Sequence, residues 1–172
     1  MNKIRIIVVL TLTVAFLSLL AAAPAVAKKP LHMADVSGGG LFHAPSGSEG
    51  YNLFAFAFDA HLMGTSGEAT GHFLHNNLTT GSFLHLDVVH MEFMNKSNTV
   101  GLIGVVTKPL GSNAEEGDCR AVLLQDNVKN SEMRKDMRSK LFNYNDASCD
   151  IPDWDHSKFK LFPLDDGHIQ IH

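Results

Sequence analysis

The chain has 172 residues with ten histidines, two cysteines and one tryptophan, and its 14 Lys+Arg against 18 Asp+Glu give a formal net charge of −4. An acidic total without a long basic run argues against a nucleic-acid partner and against an anionic membrane surface. The length suits one domain with its own core and leaves little room for a second.

Met1-Asn2-Lys3-Ile4-Arg5 is a short basic start, Ile6–Leu20 is an almost unbroken apolar run, and Ala21–Ala27 is a small-residue stretch ending Ala25-Val26-Ala27. This layout predicts a secretory signal over residues 1–27, cleaved to leave Lys28 at the N-terminus. The alternative is an uncleaved anchor, but the run is short for the ~20 residues a membrane helix needs and an A-x-A site follows it. Residues 28–50 then form an N-terminal segment with the first strand, and residues 51–172 the remainder of a single β-domain. No later apolar run approaches membrane-spanning length, so the expected product has no integral membrane segment and is secreted or periplasmic.

In Tyr51–Met63, Phe54, Phe56, Phe58, Ala60 and Leu62 share one face, and Ala55, Ala57, Asp59 and His61 share the other. That is the period of a strand with a bulky inner side. Gly64-Thr65-Ser66-Gly67 is a turn, Ala69–Asn76 a second strand, and Asn76–Gly81 the next turn. Ser82–Met94 is apolar on both sides, with Phe83, Val89, Met91 and Phe93 on one and Leu84, Leu86, Val88 and Met94 on the other. A strand of that kind is covered on both faces, in a packed barrel or at a subunit interface of a homo-oligomer. Thr99–Thr107, Asp118–Asp126, Lys158–Phe162 and His168–His172 are further strands, with Pro109–Gly117 a loop. About eight strands at short, regular spacing predict an all-β fold, an antiparallel barrel or sandwich.

One segment breaks the pattern. Between Ser131 and Phe142, Met133, Met137 and Leu141 recur every four positions among charged residues. The spacing predicts a short amphipathic helix over 131–142 with Ser131 as N-cap, a charged loop being the alternative. Cys119 and Cys149 flank this segment. Export would place them in an oxidising compartment, and two thiols without a C-x-x-C make a poor metal site, so a structural disulfide is expected. It closes a loop of about 31 residues, worth roughly 3–4 kcal/mol in the chain-entropy account.

The closing Asp166-Gly167-His168-Ile169-Gln170-Ile171-His172 resembles the Gly-Gly-Asn-Ile-Gln-Ile-His ending of the post-COAP family of bacterial secreted β-domains. Ser37-Gly38-Gly39-Gly40 resembles that family's glycine-rich opening, and Phe54-Ala55-Phe56 its early aromatic strand. Gly71-His72-Phe73-Leu74-His75, Phe83-Leu84-His85 and Val122-Leu123-Leu124-Gln125-Asp126-Asn127 resemble later strands in order. The resemblance spans about residues 35–172. The chain departs from the family at His168, where the family has Asn, and in the charged Lys129–Lys140 stretch, where the family has a glycine-rich turn. The resemblance implies a secreted all-β domain and carries over no catalytic residue.

No catalytic signature is present: there is no G-x-S-x-G elbow, no H-E-x-x-H, no glycine-rich phosphate loop and no dinucleotide fingerprint. The carboxylate pairs Glu115-Glu116 and Asp165-Asp166 fall in loops, where solvation explains them. Catalysis is therefore the minor reading. The histidines offer a second one, since neutral imidazole suits zinc, copper and nickel. His85 and Asp87 share a strand face, as do Asp59 and His61, whereas His72 and His75 point to opposite faces. A metal site would draw on neighbouring strands, with His61, His72, His75 and His85 as candidates. Ordinary surface and half-buried histidines are the more economical account of the same residues. The favoured reading is a non-catalytic binding or structural module. It would recognise an envelope or extracellular partner, such as a protein, a surface polymer or a small apolar ligand. Its rival is a lipocalin-like or cyclase-like barrel with an internal pocket. A large apolar pocket with convergent polar groups would favour the rival, and a filled core with an exposed apolar patch the first.

Overall fold

The computed structural model describes residues 32–47, 50–94, 98–127, 135–144, 149 and 159–172. The signal at 1–27 and residues 131–134 of the expected helix lie outside them. Ten strands follow in order: β1 His32–Ser46, β2 Gly50–Met63, β3 Ala69–Asn77, β4 Ser82–Met94, β5 Thr99–Leu110, β6 Cys119–Gln125, β7 Met137–Ser139, β8 Phe142–Tyr144, β9 Leu161–Pro163 and β10 Asp166–Ile171. They form one antiparallel sheet in the order β10-β1-β2-β3-β4-β5-β6-β7-β9, with β8 also on β6. No helix among the described residues is long and apolar enough to cross a membrane.

The sheet curls, barrel-like, because one face of each long strand carries the bulk. Phe54, Phe56 and Phe58 of β2, Phe73 of β3, and Leu84, Leu86 and Val88 of β4 are buried together with Phe42, Val100, Leu102, Val122, Leu124 and Ile169. The rings of Phe42, Phe54, Phe56, Phe58 and Phe73 lie 5.1–6.2 Å apart in successive stacked or edge-on pairs, which fills the interior. A bulge near His90 changes the facing of β4 beyond Val88. Met91 therefore joins the core, Val89 is exposed, and Phe93, opposite Val100 on the inner face, is exposed towards the end of the strand.

A second, smaller cluster sits on the outside of β5 and β6. Ile103, Ala121, Leu123 and Met94 pack there with the Cys119–Cys149 disulfide, and Phe159 and Leu161 pack against them. β6 is thus buried on both faces, and the bridge holds Cys149 on the outer one. β5 runs beyond Thr107 to Leu110, but its ladder to β6 ends at Val105. Pro109 pairs only with β4, so its missing N–H falls on an unpaired edge.

The expected helix does not form over its described part. Residues 137–139 and 142–144 are β7 and β8. Burial here alternates, but the inward residues are Asp136 and Arg138, both buried, while Met137 is only partly covered. Charged side chains at the inward positions concealed the period of two.

The two ends of the sheet meet through side chains. β10 lies on β1 over Val36–Leu41, and its free edge faces the β6–β7 end. There the main-chain N–H of Ile169 donates to Asp136 Oδ2 at 2.7 Å, that of Ile171 to Asp126 Oδ2 at 3.4 Å, and that of Leu164 to the Asp136 carbonyl at 2.8 Å. Carboxylates here accept the bonds that a neighbouring strand would otherwise take.

Candidate functional site

Alternation along β3 sends His72 and Leu74 outward and Phe73, His75 and Asn77 inward. It therefore divides the candidate histidines between two places.

Inside, Arg138 of β7 is 0% exposed and reaches across the interior to the opposite wall. Its guanidinium carbon stands 4.4 Å from the ring centre of Phe42, 4.6 Å from Phe56 and 5.2 Å from Phe73. Nε donates to the Ser139 carbonyl at 2.9 Å, and Nη1 approaches His75 Nδ1 at 3.4 Å. Nη2 has no hydrogen-bond partner among the described residues. Three aromatic faces replace the carboxylate that a buried guanidinium ordinarily finds, and desolvation pushes its pKa down to about 9. His75 stacks on Phe54 with ring centres 5.0 Å apart. Burial, and secondarily the Arg138 charge, hold its pKa well below the ordinary value of 6.5. His75 is accordingly neutral at pH 7. Because Arg138 can only donate, His75 Nδ1 is the acceptor and the ring proton resides on Nε2.

His75 also lines a cavity of about 260 Å³ at the end of the barrel where β3 ends and β4 begins. Phe54, Leu84 and Leu141 form its apolar side, and Arg120 and Lys140 also line it. No carboxylate is among its lining residues in the described part of the chain. Arg120 is held by Asp118, at 2.9 Å from Nη2 to Oδ2, and Lys140 Nζ donates to the Pro45 carbonyl. A second cavity, of about 290 Å³, lies around Gly67, His90 and Phe93 and includes Glu92.

Outside, the strand register sets a row of polar side chains. Asp59 of β2 pairs with His72 of β3, and His72 with Asp87 of β4. His85, two residues before Asp87, shares its face. His72 Nδ1 lies 3.2 Å from Asp87 Oδ1, and the His72 and His85 rings stack with centres 5.2 Å apart. One ligand atom from each of His72, His85 and Asp87 falls within 4.8 Å of the others. Gly71 has φ +144°, and a Cβ there would collide with the Asp59 carbonyl. Its lack of a side chain lets β2 and β3 approach beside His72.

The structure thus brings together His72 and His85 of the four histidines expected at a metal site. His61 lies apart, with Nδ1 2.6 Å from Asp35 Oδ1 and Nε2 3.7 Å from Asp59 Oδ2. His75 faces the interior. Asp87 completes the outer group; its place on the His85 face was legible from alternation, but its position opposite His72 depends on register. Arg138, Arg120 and Lys140 were not anticipated, and the sequence offers no local signal that separates them from surface cations. No family model, curated protein or solved structure matches this chain.

Proposed function

We propose that this chain is an exported, non-catalytic β-domain that binds a small ligand with an apolar body and an anionic group at the mouth beside His75. The cavity at that mouth carries the reading: Phe54, Leu84 and Leu141 face Arg120, Lys140 and the neutral His75, without a lining carboxylate among the described residues. Such a mixture, apolar with a few placed polar groups, is what small-molecule sites use. At about 260 Å³ the cavity lies just under the range of roughly 300–1,000 Å³ usual for ligand pockets. The ligand is therefore small, or is one group of a larger envelope or extracellular partner. The phenylalanine-filled interior supports a mouth site over a deep lumen. Export is supported by the signal layout, by the disulfide and by the resemblance to a family of secreted β-domains.

The test uses 8-anilinonaphthalene-1-sulfonate, an apolar anion, titrated into ¹⁵N-labelled protein. Amide shifts should cluster at His75, Arg120, Lys140 and Leu141, saturate at one equivalent, and weaken at least tenfold in Lys140→Glu. Shifts scattered over the surface, or unchanged affinity in a folded Lys140→Glu protein, would sink the mouth site. A mature mass beginning anywhere but Lys28 would separately sink the export claim.

A further inference from the structure

The outer wall of the barrel carries a group of side chains on which the mouth site makes no demand. His72, His85 and Asp87 come from adjacent antiparallel strands. His85 and Asp87 are two residues apart on β4, and the register places His72 directly opposite Asp87. Their ligand atoms already lie within 4.8 Å of one another, so side-chain rotations of about 1 Å bring them to the roughly 3.5 Å spacing of tetrahedral ligands about 2.0–2.2 Å from one ion. The His72 and Asp87 side chains are 59% and 51% exposed, which leaves the remaining coordination positions open to water.

The second observation concerns the proton on His85. The β4–β5 register shifts between His85 and Leu86, so that His85 pairs with Lys108, Leu86 pairs with Val106, and Thr107 has no partner. This irregularity brings the Thr107 hydroxyl to 2.8 Å from His85 Nδ1. The same hydroxyl donates its single proton to the His85 carbonyl at 3.3 Å. Thr107 Oγ1 must then accept from His85 Nδ1–H, which leaves Nε2 unprotonated with its lone pair free. An outer-shell acceptor that fixes the tautomer of a ligand imidazole is the usual companion of a metal-binding histidine, and bulges are over-represented where a side chain is re-aimed at a site. The electrostatics agree: Asp59 stands across from His72 on the other side, and Asp35 lies one strand further. Lys108 beside His85 is the opposing charge, exposed on its flexible stem.

We infer that His72, His85 and Asp87 form a surface site for one divalent transition-metal ion of the zinc class. His85 binds through Nε2, Asp87 through a carboxylate oxygen and His72 through an imidazole nitrogen, with Thr107 as positioning residue.

The test is calorimetric titration of ZnCl₂ into the exported protein, purified without chelator, at neutral pH. Wild type and His61→Ala should bind one ion per chain with affinities within about twofold of each other. His72→Ala and Asp87→Asn should bind at least tenfold more weakly, and Thr107→Val about tenfold more weakly, the scale of losing an outer-shell partner. On wild type alone, zinc should shift the imidazole ¹⁵N resonances of His72 and His85 and leave those of His43 and His168 in place, so the assignment does not depend on the variants folding. Absence of stoichiometric binding, undiminished binding in folded His72→Ala and Asp87→Asn, or shifts confined to other histidines would overturn it.

Discussion

The carboxylate of Asp136 accepts the main-chain N–H of Ile169 at 2.7 Å, joining the end of the sheet that follows β6 to the strand that flanks β1. Its other oxygen accepts the N–H of Asn127, also at 2.7 Å. One buried side chain therefore serves two amides that would otherwise be stranded at a seam.

Replacing Asp136 with Ala should accordingly cost more than a surface change. Two charge-assisted bonds at about 1.5–3 kcal/mol each predict a loss of at least about 3 kcal/mol in urea unfolding. Hydrogen exchange at the Ile169 amide should accelerate selectively. A loss under about 1 kcal/mol, or unchanged protection at Ile169, would mean that the seam is held otherwise.

His75 makes stability depend on pH with a defined sign. Its folded pKa lies well below 6.5 because of burial and the Arg138 charge, while the unfolded value is about 6.5. Below pH 6.5 the unfolded chain takes up a proton that the native state refuses, so stability falls as pH drops from about 6.5 towards the folded pKa, by at most about 1.4 kcal/mol per pH unit. Chemical unfolding of wild type and His75→Gln at pH 7.5, 6 and 5 reads this directly. The wild-type loss should exceed that of the variant, and parallel pH profiles would remove His75 as the cause.

Arg138 separates charge from volume. Arg138→Met keeps bulk among the three phenylalanine rings and removes a desolvated guanidinium that has no carboxylate partner among the described residues, so its melting temperature should equal or exceed that of wild type. Arg138→Ala opens a cavity and should lose about 2–5 kcal/mol. Equal destabilisation in both variants would show that the cation–ring contacts outweigh the cost of burying the charge.

The double variant Cys119→Ser/Cys149→Ser should unfold at lower urea, with roughly 3–4 kcal/mol lost from the released loop. Because Cys149 is fixed on the outer cluster with Ile103, Ala121 and Leu123, amide hydrogen exchange at Ile103, Ala121 and Leu123 should accelerate in the variant as that cover loosens. Reductant should reproduce the loss in wild type and leave the variant unchanged.

The long strands were legible because their inward residues are apolar. The Phe54/Phe56/Phe58 stripe, the turn at Gly64–Gly67 and the closing Ile169/Ile171 pair all found their places. β7 and β8 were not legible. The sequence places Asp136 and Arg138 where a strand pattern demands apolar side chains, and Met137 and Leu141 mimic a helical spacing. The histidines show the same divide. Alternation alone parts His72 from His75, but opposing His72 to Asp87 requires the β3–β4 register, and the pairing of His61 with Asp35 requires β1 beside β2. These are non-local facts, absent from any short window of sequence.

The β1–β10 ladder has a consequence for the order of assembly. Its registers, Val36 with Ile171 through Leu41 with Asp166, join opposite ends of the described chain, the kind of contact whose loop-closure entropy slows folding most. The hairpins β2–β3, β3–β4 and β4–β5 can form early from near neighbours, but β1 keeps an open edge until β10 arrives. That edge contains Gly38, Gly39 and Gly40, where backbones come too close for any side chain. Refolding should therefore end on a slow step that unites the first strand with the last, and the species waiting before it presents a bare strand able to take up β10 from a second copy.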